Sequence, residues 1–193
     1  YVEEKDFIQF AMDAGDPSKR LTALKQKFEK GEKDPAFLLN LANLTIYNDT
    51  DFSNKVIERY FAGKPELTRD NLGLLFQAMK STEGAPYRIF TERKADILKM
   101  LPEQQYASMD KNVKVNTVMA KAYNATTKKL DEAYFLAETQ KFMTKDEAEN
   151  LLKRVKASRA LKDKDFATYE KITIELNKDT SALSADQLNS LAW

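Results

Sequence analysis

Apolar residues recur three or four positions apart through nearly the whole of this chain, and there is no cysteine to staple any other arrangement. Leu21, Leu24 and Phe28 form one such stripe, and Leu38, Leu41, Ala42 and Ile46 form another. That spacing places side chains on a single face of an α-helix. Five glycines and five prolines in 193 residues are too few for the many turns of a sheet protein. The expectation is an all-α fold of antiparallel helical hairpins with short connections.

The stops and starts are written locally. Asp16-Pro17 and Asp34-Pro35 each put an N-cap acid before a proline at the first helical position. Gly15, Gly31 and Gly63 fall where helices should end. Thr144-Lys145-Asp146-Glu147 is a capping box, followed by acids first and bases later, as the helix dipole favours. The pattern predicts helices near 3–14, 17–30, 35–48, 51–62, 70–80, 87–100, 103–109, 111–126, 131–142, 145–162, 165–177 and 185–193. The helix at 131–142 is apolar on two sides and is expected to be buried on both. Residues 1–193 read as one helical domain, and the irregular stretch 81–86 is the expected place for any subdivision. The closing Ser184 and Gln187 have capping-box spacing, so the chain reads as a fragment of a longer protein.

A repeat is also expected. A tetratricopeptide repeat places an aromatic near the end of its first helix, a small residue where the helices cross, and a second aromatic one turn later. Tyr47, Val56 and Tyr60 have that spacing. Lys129-Leu130-Asp131-Glu132-Ala133 is similar to the opening of such a repeat's second helix. The architecture expected is an α-α superhelix, tetratricopeptide-like with degenerate repeats.

Composition excludes several chemistries. Without histidine or cysteine there is no imidazole base, no thiolate ligand and no thiol redox couple. Lys and Arg total 31 against 30 for Asp and Glu, so no strong field draws nucleic acid or an anionic membrane. No apolar run is long enough for a membrane span.

The remaining constellations read as structure. Ser108-Met109-Asp110-Lys111 fits the S-x-x-K pattern of serine acyl-transferases, but no S-D-N or K-T-G accompanies it. Residues 108–110 are expected to end one helix and cap the next. Glu29, Glu138 and Glu170 lie near lysines on charged faces, as solvated surface does. Asn48-Asp49-Thr50-Asp51 lacks the glycine and closing glutamate of a calcium loop. The basic run 153–164 lacks the interleaved aromatics of a nucleic-acid face. Gly73 and Gly84 are isolated, so there is no phosphate loop. Asn43, Asn48 and Asn124 each open an N-x-T triplet, which matters only in a glycosylating compartment. No catalytic, cofactor-binding or metal-binding residue is assigned, and no cofactor is expected. The eight tyrosines can fill cores or line a peptide groove.

The opening Val2-Glu3-Glu4-Lys5-Asp6-Phe7-Ile8-Gln9-Phe10, followed by Leu21-Thr22-Ala23-Leu24-Lys25-Gln26-Lys27-Phe28 and Asp34-Pro35-Ala36-Phe37-Leu38, carries a resemblance. It resembles the region after the thioredoxin domain in bacterial envelope-type thioredoxin-family proteins, where a helical, tetratricopeptide-like extension follows. The closing Leu188-Asn189-Ser190-Leu191-Ala192-Trp193 is similar to a helix start in such extensions. The resemblance implies a non-catalytic accessory module that docks on a thioredoxin-fold domain or presents its client proteins. It also implies a soluble protein of the bacterial periplasm or cell envelope. The chain itself has no C-x-x-C, so no redox residue carries over, although the parent protein would be a thiol-disulfide oxidoreductase. The alternative is an independent helical scaffold binding a peptide or protein in a tyrosine-lined groove.

Overall fold

A computed structural model of the chain describes residues 21–177. The helices expected at 3–14 and 185–193, and the resembling residues before Leu21, lie outside the described residues. Within them the chain is all-α apart from one short hairpin. The helices are α1 (Leu21–Glu29), α2 (Pro35–Thr45), α3 (Thr50–Ala62), α4 (Arg69–Ala78), α5 (Ala85–Glu92), α6 (Lys94–Ile97), α7 (Glu103–Ala122), α8 (Glu132–Thr139), α9 (Lys145–Lys162) and α10 (Phe166–Leu176). The hairpin pairs β1 (Tyr123–Asn124) with β2 (Lys129–Leu130), antiparallel, with Tyr123 opposite Leu130.

One device starts four of these helices. The carboxylates of Asp34, Asp49, Asp131 and Asp165 accept from the N–H groups of Phe37, Phe52, Tyr134 and Thr168. Each satisfies an amide that the helix itself leaves without a partner. Thr144 and Glu147 form the expected capping box. A second box, Thr68 with Asn71, opens α4. Positive φ angles stop or turn the chain at Gly31, Lys64, Lys128 and Lys164.

Three expected helices are divided or joined differently. The span 87–100 divides into α5 and α6 at Arg93, whose guanidinium reaches the Pro65 carbonyl and the Asp96 carboxylate. The spans 103–109 and 111–126 join as α7, which runs straight through 108–110. Asp110 does not cap a helix there. Its carboxylate is engaged sideways, accepting from Tyr87 Oη and from Lys114 Nζ, each at 2.6 Å. After Ala122 the chain leaves the helix for the hairpin, where Asn124 Oδ1 accepts from the Thr126 and Thr127 amides.

Two compact units divide at Thr117 and Val118, within α7. The 81–86 connection does not separate them. It is held inside the first unit by buried Pro86 and by the Thr82 N–H, which donates to Thr117 Oγ1 at 2.8 Å. In the first unit, α2 and α3 pack along each other and bury Leu38, Leu41, Val56 and Ile57. Phe90 extends that core, stacked on Tyr106 with ring centroids 4.2 Å apart. The second unit is built on Phe135, with Val118, Ala122 and Leu152 around it. Phe135 and Thr139 are buried there, but Ala133 and Ala137 are exposed, so α8 buries one face and not two.

The ion pair between Lys25 and Asp49 ties α1 to the start of α3, with Nζ and Oδ2 2.5 Å apart. The hydrogen bond from Lys25 holds the Asp49 carboxyl below its ordinary range, and the Phe52 N–H adds to this. A lowered carboxyl contributes stability that is present above its unfolded value and lost as pH falls through its folded value. Asn is also a good N-cap, so Asp49→Asn removes the charge and keeps the cap. That variant should show a flatter acid limb in a plot of melting temperature against pH. An unchanged acid limb would assign acid sensitivity to other carboxyls.

Candidate functional site

The phase of α2 decides which of its residues face outward. Leu38, Leu41, Ala42 and Thr45 are buried on one side. Counting 100° per residue puts Asn40, Asn43, Leu44 and Tyr47 on the opposite side, and all four are exposed. Tyr47 is 74% exposed and Leu44 46% exposed, both large apolar side chains left in water.

The neighbouring α4 has the same division. Leu72, Leu75 and Ala78 are buried, and Asp70 and Gln77 are exposed on the far side. Gly73 lies on that side one turn before Gln77, and a side chain there would meet no atom within 4 Å. The two faces are joined by one contact, in which Tyr47 Oη donates to Gln77 Oε1 at 2.9 Å. The ring is therefore exposed but braced by a residue thirty positions away.

This arrangement has the chemistry of a binding surface. A braced aromatic gives a large contact area at low entropic cost. The carboxamides of Asn40, Asn43 and Gln77 can donate to and accept from a polypeptide backbone. Asn43 Nδ2 already donates to the Leu39 carbonyl at 3.0 Å.

The other described tyrosines have partners of their own within their units. Tyr60 is buried and accepts from Asn71 Nδ2. Tyr87 and Tyr106 flank Phe90. Burial raises the Tyr87 hydroxyl above its ordinary value, and the Asp110 carboxylate raises it further. Tyr123 lies under the Arg159 guanidinium, 3.6 Å from the ring centroid, and Tyr134 packs on the second core. The repeat-like spacing divides likewise. Val56 and Tyr60 are buried as a crossing requires, and Tyr47 points outward.

No known family model, curated protein or solved structure matches the chain. The site therefore rests on its own geometry.

The remaining sequence candidates are dispersed. Ser108 and Lys111 lie within the uninterrupted α7, with Ser108 exposed. Asp49 is a helix cap, and Glu138 pairs with Lys141 at 2.6 Å. Among the described residues no three carboxylates cluster to hold a metal ion, and no helix is long and apolar enough to cross a membrane. In the basic run, Lys153 pairs with Glu175 and Lys156 with Glu132. The helix phase of Tyr47 was the signal available in sequence for this surface. The Gln77 brace had no local signal.

Proposed function

We propose that this chain is a non-catalytic helical interaction module that accompanies a thioredoxin-fold domain, docking on it or presenting its client proteins. The observation that supports an interaction role is the exposed Leu44–Tyr47 pair, braced by Gln77 on the side of α2 away from the core. The thioredoxin association is supported by the resemblance at 2–38, and so is a place in a bacterial periplasm or envelope. On this reading the thiol chemistry belongs to a C-x-x-C domain of the parent protein. The module contributes a surface that raises the local concentration of client.

The test compares the parent protein with its thioredoxin domain alone, on a folded disulfide protein and on a small-molecule disulfide. The module should speed reduction of the protein substrate more than of the small one. Equal rates on both, with and without the module, would leave no client-presenting role. Tyr47→Ala should abolish most of that selective gain. Because Tyr47 is exposed, the same change should move unfolding stability by no more than about 0.5 kcal/mol. If the gain survives the substitution, the binding surface lies elsewhere.

A second reading uses the same face as an independent scaffold for a peptide or protein. An open reading frame with no C-x-x-C domain before Tyr1 would favour it over the first.

A further inference from the structure

A pocket of about 370 Å³ lies in the first unit, between the start of α2 and the end of α3. That volume is at the small end of ligand pockets. The lining has two parts. Pro35, Leu38 and Pro65 give an apolar wall, and Lys33, Arg59 and Tyr60 bring hydrogen-bond donors. No carboxylate is among the described residues of the lining, so two cations share the pocket without an anion.

The acids next to Lys33 are engaged elsewhere. Glu32 pairs with Lys27 and accepts from the amides of Lys33 and Asp34. The Asp34 carboxylate accepts from the Phe37 N–H. The Lys33 ammonium has no partner among the described residues. Arg59 is half-buried and held in place. Its guanidinium lies 3.5 Å from the centroid of the Phe28 ring, and Nη1 donates to the Phe28 and Glu32 carbonyls. Its Nε and Nη2 have no partner among the described residues. The Tyr60 hydroxyl accepts from Asn71 Nδ2, and its own proton has no acceptor among the described residues. A partly buried cation without an anion is costly, and a bound anion offsets that cost.

We propose that this pocket binds a carboxylate carried on a small apolar group. The Nε and Nη2 of Arg59 form the planar fork that a carboxylate meets with two parallel hydrogen bonds. Lys33 adds charge at the rim, and the apolar group lies against Leu38 and the two prolines. Inorganic phosphate would leave that apolar wall unused. The inference does not rest on the surface at Tyr47. The carboxylate can come from a free small acid or from the last residue of a polypeptide.

The test is an amide chemical-shift titration of the whole chain. The probes are N-acetyl-leucine, N-acetyl-leucinamide, inorganic phosphate, and a hexapeptide ending in leucine as free acid or as amide. The acids should shift the amides of Lys33, Leu38 and Gly63, and should bind about tenfold more tightly than their amides. Lys33→Gln, an exposed substitution, should weaken the acids about tenfold and leave the melting temperature unchanged. Arg59→Gln should weaken them further, with circular dichroism showing that the fold persists. A hexapeptide acid that binds more tightly than N-acetyl-leucine names a polypeptide end as the source, and equal binding names a free acid. Either result upholds the pocket. No shifts at these amides, equal binding of acid and amide, phosphate binding as tightly as the acids, or full affinity in Lys33→Gln would overturn the proposal.

Discussion

Replacing Phe135 by alanine should destabilise the protein by about 3–5 kcal/mol, the usual cost of removing a buried phenylalanine. Phe135 is fully buried, and the second unit has few other large buried side chains to close the void. The α8 helix that carries it has eight residues, too few to persist without packing. In urea the midpoint should fall while the slope stays constant, as it does when stability alone changes. Hydrogen exchange adds resolution, because compact units can open separately. Amides of α8 and α9 should lose protection first, while those of α2 and α3 keep theirs. An unchanged urea midpoint would mean the ring is not core.

The second large effect is polar. Asn71 is buried and makes four hydrogen bonds at once. Its Oδ1 accepts from the Thr68 N–H, and its own N–H donates to Thr68 Oγ1. Its Nδ2 donates to Tyr60 Oη and to the Glu66 carbonyl. Asn71→Leu keeps the volume close and removes the three side-chain bonds. The groups left behind then lack partners, at about 1–3 kcal/mol for each that is buried. A total loss of about 3 kcal/mol is expected from denaturant titration. A loss below about 0.5 kcal/mol would show that water replaces the amide freely.

Helix starts were legible because a cap is local. Asp34 before Pro35 and Thr144 before Glu147 announce themselves within four residues, and both cap their helices in the structure. Thr68 and Asn71 have the same spacing, but with the shorter asparagine where glutamate or glutamine marks the motif, so the local signal is weaker. The division at Thr117 and Val118 had no signal at all. It falls inside α7, where neither glycine nor proline interrupts the helical pattern. The fate of Tyr47 was legible in one way and hidden in another. Its phase against Leu38, Leu41 and Thr45 points it outward, whereas a repeat template counts it among packed aromatics. The brace from Gln77 depends on how α2 lies beside α4, which is tertiary and has no local signature.

The lysines at positive φ have a consequence for ionic strength. Lys64 follows α3 and Lys164 follows α9, in a conformation that costs a non-glycine residue about 1–2 kcal/mol. Glycine would relieve that cost but bring no charge. A cation just past a helix C-terminus is favoured by the dipole by about 0.3–1 kcal/mol, and salt screens that attraction. The backbone cost is steric and does not respond to salt. The ends of α3 and α9 are therefore held by a balance that shifts as the medium becomes more saline, and fraying under added electrolyte should begin there.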